Sequence, residues 1–488
     1  MTRMARIESV FIRVLSVLSV VQRFGPSWYQ GGASEQRFIS RRVRPECGYP
    51  MNPLSRRSFV QTLATSSALA VLPRLTAQPA SVRPAASHTP KKGDGLDRQL
   101  LRFFSPLNPK NSEASAIELK DGSILLLWTE FLDVDAMPEK DRPPFSPLRH
   151  SLRTEPNNDD GYARISGISS KDGGRTWSEP RVYVDDRDAR VNTMQPGLAR
   201  LPDGRLLLAY SWRSGGNHAD NYGPCARRVR FSSDEGVTWS EPMRLTPDDG
   251  NYHTGCHDRT WVRPSGRILV QCHTNTPVTG GKFIDHKEVY FAYSDDAGKT
   301  WKHSNRVTEN ASRGLNEACI APRTDGSLLM VARSSRGNSY LSESTDDGAT
   351  WSAARPSGIV APDSPTYLTG IPGTNDLLII WNPNVNLGPQ PNVLRLPAAD
   401  GQAARTLAIA SHAISRCPLV CALSRDGGRT WGLPKVLESD INYEWAYPSV
   451  LFYRDTALVH YYRSPMIERC RELMLTRVPI KWFYEESA

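Results

Sequence analysis

Short apolar runs recur along the chain, each after a turn-forming sequence. They lie in the segments Glu118–Leu127, Arg200–Leu208, Arg263–Val270, Arg323–Met330, Ile371–Ile380 and Phe452–Val459. In most of these segments an Asp-Gly or Ser-Gly pair stands just before the apolar run. A turn pair beside a short apolar run is typical of a β-hairpin. Because the runs are apolar at successive positions, they are predicted to be strands buried on both faces. Six hairpins predict an all-β chain built from six similar units.

A second repeat, Ser-x-Asp-x-Gly-x-Thr-Trp, lies between these hairpins. Its five copies keep every fixed position and occupy Ser170–Trp177, Ser232–Trp239, Ser294–Trp301, Ser344–Trp351 and Ser424–Trp431. Ser and Asp side chains can bind nearby backbone amides, and Gly accommodates a positive φ, so each octet is predicted to be a turn. The Trp is predicted to anchor the turn between neighbouring units. Such a recurring unit indicates a repeat architecture.

The octet resembles the Asp-box, or BNR, repeat of the sialidase superfamily, where it joins the two outer strands of a propeller blade. The resemblance implies a six-bladed β-propeller with five Asp-box turns over residues 96–488. The last blade lacks a box, and its strands Tyr447–Tyr453, Thr456–Tyr462 and Glu472–Pro479 are expected to take a fourth from Gln99–Phe104. The box occurs in propellers with and without glycosidase activity, so its Asp residues are predicted to be structural.

The segment before the repeats has the pattern of an export signal. Arg56 and Arg57 precede a modest apolar run, Ala64–Leu72, with small residues near 77–80, as in a twin-arginine signal. An ordinary amphipathic helix is the alternative, and the run is too short to span a membrane. We therefore expect translation to start at Met51, with residues 1–50 upstream of the true start. Residues 51–80 are expected to be a signal peptide that is cleaved near 77–80, and residues 81–95 to be a linker. Such a signal predicts export to the periplasm or the extracellular space.

Charge and cysteine content narrow the classes of partner. The formal net charge is +9, but of 60 basic and 51 acidic residues 12 and 3 lie in residues 1–90, which leaves 48 of each elsewhere. The positive charge therefore belongs to the leader, and no nucleic-acid partner is predicted. The eight cysteines show no C-x-x-C pair and are predicted to pack as small apolar residues. No cofactor is predicted. His253 and His257 would form a metal pair only on a helix, so binding of sugar hydroxyls is the preferred role.

The hairpin register predicts a common pocket. Positions eight residues before and eight residues after each turn residue should return to the same end of a unit. They are Glu113, Gln195, His257, Glu317 and Tyr447 before the turn, and Thr129, Ser211, His273, Arg333 and Arg463 after it. An apolar core does not need so many polar groups in matched register, so we expect these residues to surround one mouth at the axis. Arg227 and Arg228, outside the register, are expected to be solvated at the surface.

Four positions are similar to the sialidase site. In sialidases a Glu opens the fourth inner strand, an Arg closes its hairpin partner, and a second Arg lies between that hairpin and a nucleophilic Tyr. Glu317, Arg333, Arg416 and Tyr447 fit this pattern. The resemblance implies that Tyr447 is the nucleophile, that Glu317 is the base that activates it, and that the two arginines hold a substrate carboxylate. A phenol of pKa about 10 needs an adjacent carboxylate to act near neutrality.

The chain departs from sialidases at its first inner strand. Arg-Ile-Pro is expected there, but the sequence is Glu113-Ala114-Ser115, which places a carboxylate where a carboxylate-binding arginine should stand. Arg259, which follows Asp258 in the third unit, is a candidate replacement; alternatively, the pocket holds a different sugar. The pattern also resembles a bacterial sialidase-like branch with Asn-Ser-Glu at the first strand and Ala-Tyr-Pro-Ser near the last.

The acid that protonates the leaving group is expected in a loop of the first blade, as in sialidases. Residues 131–161 form a long polar loop that offers Asp133, Asp135, Asp159 and Asp160. Asp133 is the preferred candidate, and the remaining carboxylates are expected to be solvated.

These patterns predict an exported exo-glycosidase of sialidase type that removes a terminal acidic sugar from a glycan. A glycan-binding propeller without turnover is one alternative, favoured by the missing first arginine. A polysaccharide lyase acting on a uronate, with His and Tyr as base and acid, is another. A Tyr447–Glu317 pair would discriminate, because a binding module needs no activated phenol. The predicted substrate-binding residues are Arg333, Arg416, Arg259, Glu113, Asp258, His257, His273 and Gln195.

Overall fold

The computed structural model describes residues 94–143, 159, 161–215, 224–275, 286–383, 393–396, 405–408, 416–465 and 470–485. The chain divides at Pro79 into two units, and all of these residues lie in the second. The predicted signal peptide, its upstream segment and all of the linker except Asp94 and Gly95 lie outside the described residues. Within the described ranges, no helix has the length and apolar character needed to cross a membrane.

Antiparallel sheets of consecutive strands repeat along the chain. The first sheet contains β2 (Lys110–Glu118), β3 (Ile124–Phe131), β4 (Ala163–Ser170) and β5 (Arg181–Val184), and the second contains β6 (Asn192–Arg200), β7 (Leu206–Arg213), β8 (Cys225–Ser232) and β9 (Met243–Arg244). One parallel bridge, from Ala163 to Asn192, joins the two sheets. In the third sheet β12 (Ile268–Asn275) pairs with β10 (His253–Thr254), β11 (Thr260–Val262) and β13 (Lys287–Ser294), which in turn pairs with β14 (Lys302–His303).

The same order continues to the end of the chain. The fourth sheet contains β15 (Asn316–Pro322), β16 (Leu328–Arg333), β17 (Asn338–Ser344) and β18 (Arg355–Val360). The fifth contains β19 (Tyr367–Gly370), β20 (Leu377–Trp381), β23 (Leu419–Ser424) and β24 (Lys435–Glu438), with β21 (Val393–Leu396) and β22 (Arg405–Ala408) as a separate pair. The last contains β25 (Tyr443–Tyr453), β26 (Thr456–Pro465) and β27 (Glu472–Pro479). Short 3₁₀ helices lie at Val134–Ala136, Glu139–Asp141 and Ile480–Phe483.

The last sheet is completed by the first strand of the described chain. β1 (Asp97–Arg102) pairs antiparallel with β27, with Asp97 opposite Arg477. This confirms the predicted origin of the fourth strand. The described chain is therefore an all-β protein in a propeller arrangement.

The predicted apolar runs form the buried strands. Every residue of β3 is buried, as is every residue of β12 and all of β16 except Arg333. The core lies between neighbouring sheets, since Leu207 and Val229 of the second sheet cluster with Val270 of the third. Six of the seven described cysteines are buried, as predicted for small apolar residues.

The five octets share one set of hydrogen bonds. In each, the Ser hydroxyl donates to Asp Oδ1 at 2.7–2.8 Å, the Thr hydroxyl donates to Asp Oδ2 at 2.5–2.6 Å, and the Gly N–H donates to the Ser oxygen at 2.8–2.9 Å. The octets also touch the preceding sheet. A Cβ on Gly298, whose φ is +88°, would lie 2.5 Å from Cζ of Phe231, and Trp351 stacks on Phe291 with centroids 4.8 Å apart. The Asp side chains are therefore occupied in turn formation.

Candidate active site

Five residues near the start of the sheets have a left-handed backbone although none is glycine. They are Glu113 (φ 60°), Gln195 (φ 63°), Asp258 (φ 51°), Glu317 (φ 46°) and Tyr447 (φ 58°). Four of them interrupt the pairing of their strand, between Ser112 and Ser115, Met194 and Gly197, Asn316 and Cys319, and Ala446 and Ser449. A bulge of this kind re-aims a side chain. Positive φ is unusual for such residues and clusters at functional sites.

The predicted register is met in four of the five sheets that it covers. In the third sheet the left-handed residue is Asp258, one position after the predicted His257. The strand that leads into the turn is one residue shorter in the third sheet. Asp258 is five positions before Arg263, which opens the turn, whereas Gln195 is six positions before Leu201. A fixed step of eight residues therefore reaches the neighbour of the left-handed residue in this sheet.

Tyr447 and Glu317 form the centre of the site. The phenol of Tyr447 donates a hydrogen bond of 2.9 Å to Oε1 of Glu317, and both residues are buried. Nη1 of Arg333 lies 2.5 Å from Oε2 of Glu317 and 3.2 Å from the Tyr447 oxygen. Burial raises the pKa of Tyr447 well above 10, and the neighbouring Glu317 carboxylate raises it further. The phenol is therefore protonated and Glu317 is positioned to accept its proton.

Asp363 holds Arg333 from the other side. Nε of Arg333 donates to Oδ1 of Asp363 at 2.6 Å, and Arg313 reaches Oδ2 at 3.2 Å. Burial opposes ionisation of Asp363, but Arg333 outweighs it and lowers the pKa of the carboxyl group. Among the described residues Nη2 of Arg333 has no hydrogen-bond partner, which leaves one edge of the guanidinium for a ligand. Sequence reasoning missed Asp363, because it lies in the loop before β19, outside any hairpin register.

Arg416 lies beside the same tyrosine. Its guanidinium carbon is 5.6 Å from the centroid of the Tyr447 ring. Nη1 donates to the Tyr462 hydroxyl at 2.5 Å, and Nη2 donates to the backbone oxygen of Asp363 at 3.1 Å. Because Arg333 binds the carboxylate of Asp363 and Arg416 binds its carbonyl, one residue brings both guanidinium groups to Tyr447.

Glu113 and Gln195 meet across the first two sheets. Nε2 of Gln195 donates to Oε1 of Glu113 at 3.3 Å. The hydroxyls of Ser211 and Thr254 both donate to Oε1 of Gln195 at 2.9 Å, which turns its amide nitrogen toward Glu113. Burial raises the pKa of Glu113 to about 7, and Asp159 contributes in the same direction. The negative charge of Glu317 also raises the pKa of Glu113, which indicates that Glu113 lies on the same side of the molecule as the Tyr447–Glu317 pair.

Asp258 and Arg259 lie in a buried network between sheets. Asp258 accepts hydrogen bonds from Ser115 at 2.7 Å and from Tyr367 at 2.9 Å, which links the first, third and fifth sheets. Burial raises its pKa to about 6. Arg259 lies over the Tyr367 ring at 4.7 Å, and its Nη2 is 3.4 Å from the Thr366 carbonyl. The structure thus directs this candidate replacement arginine toward the fifth sheet.

The two candidate histidines are buried. Nε2 of His257 contacts the Tyr447 carbonyl oxygen at 3.1 Å, so His257 supports the backbone of the central tyrosine. Nδ1 of His273 lies 3.4 Å from Nε2 of Gln271. Burial lowers the pKa of both imidazoles well below 6.5, and nearby cations, Arg259 for His257 and Lys287 for His273, lower it further. Both are neutral at physiological pH.

Two acids of the long loop are placed differently. Asp133 is buried and caps the 3₁₀ helix Val134–Ala136, accepting from the Asp135 N–H at 3.1 Å. Asp159 forms an ion pair with Lys110 and acts electrostatically on Glu113. The structure therefore connects Asp159 to the Glu113 side of the site. Asp160 lies outside the described residues.

The expectation of solvated surface arginines is wrong for Arg227 and Arg228. Arg227 is fully buried and donates to the Gln195 carbonyl at 3.0 Å and to Ser211 at 3.1 Å. Room for it comes from Gly255, where a Cβ would lie 2.6 Å from Arg227 Nε. Arg228 is half-buried, stacks on Trp212 at 3.8 Å and pairs with Asp186 and Asp188 in the segment between β5 and β6. Alternation along β8 places the two residues on opposite faces, so at most one could have faced solvent.

A family model described as a BNR repeat-like domain matches residues 157–460. A sialidase of Bacteroides fragilis (strain YCH46) is 28% identical over 318 residues, covering 58% of this chain and 50% of the relative. A sialidase of Clostridium perfringens is 26% identical over 221 residues, 42% of this chain and 56% of the relative. The chain thus matches about half the length of these relatives.

Solved structures share the fold. The Hadza microbial sialidase Hz136 superposes with a TM-score of 0.55 and 17% identity, covering 79% of this chain and 68% of that one. At this identity the similarity establishes the propeller arrangement alone.

Proposed function

This chain belongs to the family of BNR repeat-like domains and is a sialidase-like protein, and from that premise we propose that it is an exo-glycosidase that hydrolyses a terminal acidic sugar from a glycan. We place the reaction in a six-bladed ring with five Asp-box turns. The observation that carries the proposal is the hydrogen bond of 2.9 Å between Tyr447 and Glu317, with Arg333 in contact with both.

In the proposed reaction the Tyr447 oxygen attacks the anomeric carbon of the sugar. Glu317 accepts the phenolic proton as the new C–O bond forms and the glycosidic bond breaks. A carboxylic acid of the loop after β3 donates a proton to the departing oxygen; Asp133, preferred from sequence, and Asp159 are the described candidates. Water, which gives one proton to the loop carboxylate, then attacks the anomeric carbon and releases the sugar, while the Tyr447 oxygen recovers its proton from Glu317. Two successive displacements retain the configuration at the anomeric carbon.

The position of the arginines supports one class of acidic sugar. Arg333 Nη1 is only 3.2 Å from the attacking oxygen, and Arg416 stands against the ring of the same tyrosine. A carboxylate held by these groups must lie within about one bond of the anomeric carbon. Sialic acid and related 2-keto acid sugars meet this condition, whereas a uronate carries its carboxylate across the ring. The attacking phenol is neutral until it reacts, so it does not repel such an anion.

Turnover by the Tyr447→Phe variant tests the proposal. Purified wild type and variant would be assayed on aryl glycosides of terminal sialic acids and of uronic acids. We expect the wild type to release the aryl group from a sialoside, and Tyr447→Phe to lose turnover by on the order of 10³-fold or more while still binding. Tyr461→Phe is the matched control, because this buried phenol also donates to a glutamate, Glu438, on the other side of the last sheet; it should retain turnover.

Other outcomes would select the alternatives. Ligand binding without turnover in the wild type would favour a glycan-binding propeller. Formation of an unsaturated uronate, detected by its ultraviolet absorbance, would favour a lyase. Full turnover in Tyr447→Phe would exclude the proposed mechanism.

Export is a separate part of the proposal. It rests on Arg56 and Arg57 before the apolar run Ala64–Leu72. N-terminal sequencing of the native protein should give a mature chain that begins near residues 77–80. A mature chain that retains residues 1–50 would contradict it.

A further inference from the structure

Arg471 is a buried guanidinium group without a hydrogen-bond acceptor. Its backbone is fixed to the first sheet, since its N–H donates to the Pro109 carbonyl and its carbonyl accepts from Asn111. Arg471 is 5% exposed. Its guanidinium carbon lies 4.4 Å from the centroid of the Tyr462 ring, and its buried Nε has no hydrogen-bond partner. In the described chain no acid lies within ion-pair distance of it. Leaving the buried Nε donor unmet is costly, so the group is poised for an anion.

Other buried arginines of the pocket have acceptors. Arg333 binds Glu317 and Asp363, and Arg463 of the same sheet as Arg471 binds Glu472. Arg416 is an intermediate case, because its Nη atoms have partners while its Nε is buried without one. Arg227 and Arg259 also have a buried Nε without a partner, but the Nη atoms of both donate to backbone or side-chain oxygens. Among these arginines, Arg471 therefore stands out because no side-chain hydrogen bond holds its guanidinium group.

These two arginines flank one aromatic pair. Arg416 binds the hydroxyl of Tyr462, and Arg471 lies over the face of the same ring. The Tyr462 ring in turn stacks on Tyr447 with centroids 5.5 Å apart. The backbone of Arg471 bonds Pro109 and Asn111 beside the first sheet while its side chain covers Tyr462, so its charge lies between the Tyr447–Tyr462 pair and the first sheet.

We propose that Arg471 binds the anionic group of the substrate together with Arg416. The last sheet would thus supply the cation that is absent from the first sheet, where Glu113 stands. This inference deepens the proposed function and rests on it, because it assumes an acidic sugar at Tyr447. It replaces Arg259, whose contacts are with Thr366 and Tyr367.

Two ligands that differ only in the negative charge of the carboxylate test the contact with Arg471. Binding of N-acetylneuraminic acid and of its methyl ester, which lacks the negative charge, would be measured by calorimetry. We expect Arg471→Gln to weaken binding of the acid by on the order of tenfold or more and to leave binding of the ester unchanged. Arg471→Lys should recover part of the loss, since it keeps the charge but not the planar donor geometry.

Stability distinguishes a ligand contact from a structural one. Because Arg471 has no acceptor, Arg471→Gln should melt at the same or a higher temperature than the wild type without ligand. Arg228→Gln removes another guanidinium that stacks on an aromatic ring, Trp212, away from the pocket; it should bind both ligands like the wild type.

Several results would overturn the inference. They are unchanged binding of the acid by Arg471→Gln, an equal loss for acid and ester, or a lower melting temperature together with such an equal loss. Failure of the wild type to bind the acid would also overturn it. The proposed function would survive that last result if Tyr447-dependent turnover of another acidic glycoside were found.

Discussion

The octets and the left-handed residues both recur once per sheet in five sheets, but they repeat different things. The octets keep their residue types, and their Ser, Asp and Thr side chains make the same hydrogen bonds in every copy. The left-handed positions keep a backbone conformation, while their side chains differ: Glu113, Gln195, Asp258, Glu317 and Tyr447. The octets, whose side chains repeat, form the turns of the sheets. The left-handed positions, whose backbone repeats while the side chains vary, supply the residues of the candidate site.

The difference shows how a symmetric frame acquires a single site. In four of the sheets a bulge aims one side chain out of the regular strand pattern, and in the third sheet Asp258 has the same left-handed backbone. The carboxylate of Glu317 then meets the phenol of Tyr447, whereas the carboxylate of Asp258 meets Ser115 and Tyr367. Residues with the same left-handed backbone therefore need not have the same role. Substitutions among the left-handed residues and in the octets can distinguish these roles.

The largest effect is expected within the left-handed set. Glu317→Gln should lower turnover by on the order of 10³-fold, because the phenol loses its base, with little change in unfolding. Asp258→Asn should do the reverse, lowering stability through the Ser115 and Tyr367 contacts while the folded enzyme keeps most of its turnover. Activity assays and thermal melts of both variants would check this. Similar loss of turnover in the two would show that the carboxylates share one role.

The next effect lies in the octets. Trp351→Ala should lower the free energy of unfolding by about 3–5 kcal/mol, as for other buried aromatic residues, because the ring is 5% exposed and stacks on Phe291. Trp239→Ala should cost less, since that indole is only partly buried. Denaturant titration gives the stabilities, and turnover per folded molecule should stay normal. A stable but inactive Trp351→Ala variant would give the octets a catalytic role.

The smallest effect is the pH dependence of Glu113. Burial raises its pKa from 4.5 to about 7, so the folded state binds its proton more tightly than the unfolded state does. The protonated form is therefore favoured by folding, and stability is lost as pH rises from about 4.5 through 7. Relative to wild type, Glu113→Gln should gain up to about 3 kcal/mol over that range. Melting curves at several pH values would measure the gain, and a difference independent of pH would contradict it.

Local sequence patterns predicted the parts of the site that lie in hairpins. Glu317, Arg333 and Tyr447 were placed together because each is at a fixed distance from a turn, and the structure brings them into contact. Asp363 was missed because it lies in a loop between sheets, and Arg471 because it precedes the third strand of its sheet. Contacts of this kind depend on how sheets pack around the axis, and no local spacing encodes that.

The burial of Arg227 could not be predicted from the local sequence pattern either. Its sequence neighbours give no sign of a space for a guanidinium, which is provided by Gly255 of the next sheet. The acids of the loop after β3 pose the same difficulty, since Asp159 reaches Lys110 of a different strand. Charged residues were thus the least predictable, because their position is decided by partners distant in sequence.

The pairing of β1 with β27 ties Tyr447 to the synthesis of the whole domain. Tyr447 lies in the sheet that these two strands complete, and Glu317 lies in another. The sheet cannot be finished until both ends of the described chain are present, and bringing such distant segments together is the slow kind of step in folding. A chain that ends between Trp431 and Glu472 would therefore carry all five octets and yet lack β27. Formation of the Tyr447–Glu317 pair thus awaits synthesis of almost the whole domain.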